Sequence, residues 1–241
     1  MQNPICISTG FLYKLFDDKN EIIERIKEFS PEGIELCIAN SDYLLNFKIS
    51  DNNLRYLRNL KFISIHAPWQ AITYGNNQKS KDVLITIEKL YKQIGARNVV
   101  FSNKELVTDF NSITSYDFIA SIENDDWRKP SANTPKEIRK ILSENQNLKF
   151  TFDFAHALTV SSIDIPLYIN KFKDKLIEIH LAFLNRKFKD HWFLHKYDSK
   201  KIRILLNHLK NTNVPICLEC VALDQNEIQL IRREIEYIKM I

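Results

Sequence analysis

The chain has 241 residues, 44% hydrophobic and 27% charged, with both signs interspersed and a net charge of +4. That balance excludes global disorder and is too mildly basic to demand a nucleic-acid partner. No stretch reaches the roughly 20 apolar residues that span a bilayer, and residues 1–10 lack the charged start and long apolar run of a signal peptide.

Residues 5–10, ICIST then Gly, read as a first strand. Residues 20–29 follow as a helix with Ile22, Ile23, Ile26 and Phe29 on one face. Residues 33–40, GIELCIAN, form a second strand with Glu35 inside it, and residues 51–60 a helix capped by Asp51. Residues 62–68, FISIHAP, are a third strand that runs into a proline stop. The clearest helix is 80–94, with Val83, Ile87, Leu90 and Ile94 at helical spacing and Gly95 ending it. A short fourth strand, NVVF, covers 98–101, and residues 103–117 leave room only for a short helix.

The fifth strand is 118–124, FIASIEN. Thr134, Pro135 and Glu137 then open a helix as N-cap, first helical residue and partner in a capping box. The stretch 148–158, LKFTFDFAHAL, starts as the sixth strand, since Phe150, Phe152 and Phe154 alternate with Thr151 and Asp153. It ends by presenting Asp153 and His156 together. A helix within 163–174 begins near Pro166, the seventh strand is 176–183 (LIEIHLAF), and 199–210 is helical. The eighth strand, PICLECV, covers 215–221, and 227–240 is a closing helix.

Eight strands in strict alternation with helices imply a parallel sheet closed into an α/β (β/α)8 TIM barrel, with residues 1–241 as one domain. No GxGxxG or P-loop pattern supports a nucleotide-binding doubly wound sheet. Cys217 and Cys220 form a CxxC, but residues three apart on a strand face opposite sides and do not share a metal easily. All four cysteines read as reduced, packed thiols of a cytoplasmic protein. The longest loops, 69–79, 125–133 and 184–198, follow strands three, five and seven and belong on the rim where such barrels carry their chemistry.

That rim collects titratable groups. Strand three ends at His66, strand five at Glu123, strand six at Asp153 with His156, strand seven at His180 and strand eight at Glu219. Any one of them is an ordinary polar strand end. Together and unpaired, such buried charges would each cost several kcal/mol, an order-of-magnitude figure that a divalent cation would remove. Carboxylates with some imidazole suit Mn2+, Mg2+, Co2+ or Zn2+. His191 and His195 lie in the loop after strand seven, and only His208 sits in a helix away from a strand end. Glu178 shares parity with His180, and Glu35 also reads as pointing into the barrel; either could support a ligand from behind or join a buried ion pair, and the structural role is favoured for both. Arg186 reads equally as a contact for an anionic or hydroxyl-rich ligand and as a solvated loop arginine. Trp69, Trp127 and Trp192 lie in rim loops, where plain packing is the default.

The order GIEL, HAP, IEN, DFAH, EIHL, DHWF and LE resembles the xylose isomerase-like TIM-barrel superfamily, which contains sugar isomerases and epimerases as well as endonuclease IV. The match runs from strand two to strand eight. In the epimerase branch the resemblance implies one metal on Glu123, Asp153, His180 and Glu219. Glu123 and Glu219 would also be the paired catalytic acid and base, and His156 and Arg186 would contact substrate hydroxyls. In the endonuclease branch it implies three zinc ions on His66, Glu123, Asp153, His156, His180 and Glu219. Asp190 and His191 partly match that branch's final Asp-x-His, and Ser102 stands where it carries another histidine. His195 stands where the family commonly has a glycine, which implies an unusual pocket. The expectation is a divalent-metal-dependent isomerase or epimerase of a sugar or sugar phosphate. An abasic-site phosphodiesterase is second, and a barrel that binds without catalysis third. The expected partner is therefore a small sugar, with nucleic acid weaker and no membrane.

Overall fold

The computed structural model describes residues 3–102, 104–184, 191–210 and 212–240. Its strands are β1 (Ile5–Ser8), β2 (Gly33–Cys37), β3 (Phe62–His66), β4 (Asn98–Phe101), β5 (Ala120–Glu123), β6 (Lys149–Asp153), β7 (Leu176–Leu181), β8 (Phe183–Leu184), β9 (His191–Trp192) and β10 (Ile216–Leu218). Eight of them close in the order β1-β10-β7-β6-β5-β4-β3-β2, every pair parallel. The expected (β/α)8 barrel is therefore present. β8 and β9 form a separate antiparallel ribbon that takes in Phe183, read as the end of strand seven, and residues of the segment read as the loop after it.

The helices are α1 (Lys19–Lys27), α2 (Ser41–Asn46), α3 (Asp51–Leu57), α4 (Gln78–Ile94), α5 (Phe110–Thr114), α6 (Pro135–Glu144), α7 (Phe154–Val160), α8 (Ile165–Lys171), α9 (Lys200–Asn207) and α10 (Leu230–Met240). The Thr134–Glu137 capping box forms at the start of α6. Gly95 closes α4 in the left-handed conformation at φ 72°, which glycine adopts without a Cβ clash. The cap of α3 is Ser50, whose hydroxyl accepts from the Asn53 N–H, rather than Asp51.

Outward strand residues such as Ile34, Ile65, Val99, Ile122, Phe152 and Ile179 join the apolar core. The inward positions are different. Cys6, Phe62 and Cys217 form a small buried cluster low in the barrel. Gly33 lies against it, and a Cβ there would stand 2.4 Å from the Phe62 carbonyl oxygen and 2.5 Å from Cys6 Sγ. Above them, Ser8, Glu35, Ser64 and Asn98 lie level across the registers of β1, β2, β3 and β4. An irregularity between β6 and β7 pairs Phe150 with Leu176 and Thr151 with Glu178, so Ile177 is extra. The bulge leaves Leu176 in the outer core while Glu178 turns inward. Ser64 Oγ and Asn98 Nδ2 donate to the two oxygens of Glu178 at 2.7 and 2.9 Å. This barrel therefore carries a hydrogen-bonded polar belt where branched aliphatic layers are usual.

Candidate metal centre

The chemistry-bearing side chains sit above that belt. β5 ends at Glu123, and the next residue, Asn124, clamps the neighbouring strand end. Its Oδ1 accepts from the Asp153 N–H at 2.8 Å and its Nδ2 donates to the Asp153 carbonyl at 2.9 Å. Asp153 is both the last residue of β6 and the N-cap of α7. Its Oδ1 accepts from the His156 N–H at 2.5 Å, which satisfies one of the free amides that open a helix. Its Oδ2 is fully buried and makes no hydrogen bond.

His180, from β7, lies at the middle of the cluster. Its Nδ1 is 3.0 Å from Glu123 Oε1 and 3.2 Å from Glu219 Oε2. Glu123, Asp153, His180 and Glu219 each offer a ligand atom within 4.8 Å of the others, and so do Asp153, His156 and His191. His156 Nδ1 is 2.9 Å from the Asn124 carbonyl, so it carries the proton and leaves Nε2 facing His191 Nε2 at 3.3 Å. His191 Nδ1 is 3.5 Å from Glu219 Oε2. His66 Nδ1 donates to the Ala67 carbonyl at 3.1 Å, and its Nε2 is 3.6 Å from Glu123 Oε2.

Burial disfavours each of these charges, but the pairings decide most of them. Burial pushes the Glu123 carboxyl up, yet His180, His66 and His156 hold it well below the carboxylate range. Against the same penalty, His180 and then His191 draw Glu219 down to about 2. Burial also works against the His180 cation, but Glu219, Glu35 and Glu123 keep it protonated well above its ordinary value. Carboxylate neighbours raise His66 and His156 to about 9 in the face of burial. Asp153 goes the other way: burial and the charges of Glu123 and Glu219 push it up against His156. Burial lowers His191 to about 4, so one proton sits between His156 and His191. Protons on imidazoles thus balance the carboxylates. An unpartnered Asp153 oxygen amid oxygen and nitrogen donors fits a divalent cation.

No family model and no curated protein sequence matches the chain. Solved structures do. D-allulose 3-epimerase from Methylomonas sp. superposes with a TM-score of 0.73 at 13% identity, over 99% of this chain and 97% of that one. The probable 3-DHS dehydratase AsbF from Bacillus anthracis gives 0.67 at 11% identity over 98% of each chain. Endonuclease IV from Thermus thermophilus gives 0.63 at 11% identity, over 97% of this chain and 99% of that one. The fold is that of the xylose isomerase-like TIM barrels.

Within this xylose isomerase-like barrel, His66, Glu123, Asp153, His156, His180, His191 and Glu219 come together around one rim. Glu219 lies one residue past β10 rather than inside a strand reaching 221. Arg186 and Asp190 fall outside the described residues. His195 is held against α10, with its Nδ1 2.5 Å from Glu234 Oε2. Trp69 packs edge-on against the His66 ring at 4.9 Å. Sequence reasoning passes over Asn124, Asp125 and Asp126. Asp125 is buried and raised to about 6 by that burial, and Asp126 Oδ2 stands 3.9 Å from His156 Nε2 while pairing with Arg128. The signal is present in IENDDW: polar residues continue straight past a strand end onto the rim.

Proposed function

We propose that this chain is a divalent-metal-dependent isomerase or epimerase acting on a sugar or sugar phosphate. The observation that carries the reading is the convergence of Glu123 and Glu219 on one nitrogen of His180, with Asp153 alongside. Glu123, Asp153, His180 and Glu219 would hold the cation. A bound cation would supply Lewis acidity toward a substrate carbonyl and its neighbouring hydroxyl. The two glutamates then divide the proton work, one removing the proton α to the carbonyl and the other returning it on the opposite face. Both are held anionic by their imidazole neighbours, the form the base needs, so the glutamate that returns a proton must first take one up from solvent or from a neighbouring imidazolium. His156 is 14% exposed at the mouth and within reach of substrate hydroxyls. The epimerase structures that share the fold support this choice of chemistry.

Solvent-proton exchange tests it. Purified protein supplied with Mn2+ or Co2+ should wash deuterium from D2O into the carbon α to the carbonyl of a ketose in a panel of free and phosphorylated sugars. Glu123→Gln and Glu219→Gln should each abolish the exchange while the far-ultraviolet dichroism stays unchanged. Exchange at the wild-type rate in those variants would sink the acid–base assignment.

One observation favours a second reading. Asp153, His156 and His191 form a further ligand set that shares Asp153 with the first. Adjacent cations there would suit phosphodiester cleavage, in which hydroxide generation and leaving-oxygen stabilisation fall to separate ions. Two or three Zn2+ per chain by elemental analysis, with incision of an abasic-site duplex, would replace the isomerase reading. One ion per chain and no incision would remove the alternative.

A further inference from the structure

One buried carboxylate plays no part in the acid–base scheme. Glu35 lies on β2, three strands round the barrel from His180 on β7, and neither side chain is exposed at all. Glu35 Oε1 accepts from Ser8 Oγ at 2.8 Å. Glu35 Oε2 lies 3.1 Å from His180 Nε2, a close contact short of a regular hydrogen bond, and neither of these buried atoms has a hydrogen bond among the described residues.

We infer that Glu35 is the positioning residue of the centre: it engages Nε2 of His180 across the barrel, so that Nδ1 is the nitrogen offered to the rim. The inference rests on the metal-centre reading above. An imidazole can present a lone pair from either nitrogen, and the partner of one decides which is left for a cation. Here Nδ1 faces Glu123 and Glu219, and among the described residues the acidic oxygen within 4 Å of Nε2 is that of Glu35. Ser8 fixes the carboxylate in turn, which ties β1, β2 and β7 into one support.

Glu35, Glu178 and His180 also lie close enough together to be considered a metal site. The hydrogen bonds argue against it. Both oxygens of Glu178 are occupied by Ser64 and Asn98, which leaves a single carboxylate oxygen and a single nitrogen facing each other. One carboxylate oxygen and one ring nitrogen are too small a donor set to hold an ion.

The test is Zn2+ affinity by competition with a chromophoric chelator, with the visible absorption of the Co2+-loaded protein as a second readout. Glu35→Gln keeps the volume but removes the anionic acceptor. It should weaken Zn2+ binding about 10–100-fold and shift the Co2+ bands. Glu178→Gln alters an equally buried carboxylate that makes no contact with a ring nitrogen, and should leave the bands in place and the affinity near wild type. If Glu35→Gln does not fold, Ser8→Ala frees the other end of the same carboxylate and should shift the bands in the same direction by less. Wild-type affinity and bands in a folded Glu35→Gln would overturn the inference, and so would an equal loss in Glu178→Gln. A wild-type chain that takes up no Zn2+ or Co2+ would overturn the metal centre itself, and the inference with it.

Discussion

Asp153 divides its two oxygens between different tasks. Oδ1 caps α7 and Oδ2 stays unpartnered in the cluster. Asp153→Ala should therefore lose both, costing about 1 kcal/mol for the cap alone and displacing His156 with the first turn. Asp153→Asn keeps an oxygen for the cap but turns amide hydrogens toward the other ligands. We expect near-native thermal stability and no metal uptake from the asparagine variant; a calorimetric titration showing wild-type binding would refute the ligand role. The same residues set a pH dependence. His180 is protonated well above its ordinary value in the metal-free protein, chiefly because three carboxylates outweigh its burial. A cation at Nδ1 must displace that proton, so affinity should fall as pH falls, by about tenfold per unit for each proton released. Titration in buffers of different ionisation heat would count the protons, and a pH-independent affinity would contradict the arrangement.

At the scale of elements, the turn leaving β5 holds the turn leaving β6. Asn124 satisfies both the N–H and the carbonyl of Asp153 inside the protein. Asn124→Ala leaves two buried backbone groups unpaired, at about 1–3 kcal/mol each, and should lower the melting temperature and weaken metal binding together. Loss of stability with unchanged metal affinity would separate the clamp from the centre. All eight barrel strands are legible in the sequence because their outward faces are continuous apolar sets, and α4 and α6 because periodicity and caps agree. α2 is not, since among its six residues only Ser41 and Leu44 are buried and no apolar stripe marks it. The β8–β9 ribbon is two residues per strand, too short for any alternation to register. The rim ligands are readable as polar residues at strand ends. The roles of Asn124 and Glu35 are not, because each acts on a partner that only barrel closure brings near. In the sequence Glu35 can be placed behind the ligands or in a buried ion pair but without a named partner, and only closure sets its Oε2 3.1 Å from His180 Nε2.

For the whole molecule, cation binding and folding are linked, because the ligands come from β5, β6, β7 and the segment just after β10. No partly folded chain holds them together. Metal at 100 times its dissociation constant should raise stability by about 2.7 kcal/mol, and chelation should lower the melting temperature accordingly; a melt indifferent to chelator would speak against a native-state site. The bottom of the barrel shapes traffic as well. Phe62, Cys6 and Cys217 are buried beneath the polar belt, and Gly33 is packed so closely against them that a methyl group there has no room. Among the described residues the belt and this floor fill the lower barrel, so the doorway to the centre is expected at the rim where the strands end. A reactant and its product must then use the same doorway in turn. Neither can enter while the other is inside, and in steady-state kinetics the product of the reaction should act as a purely competitive inhibitor of its own precursor.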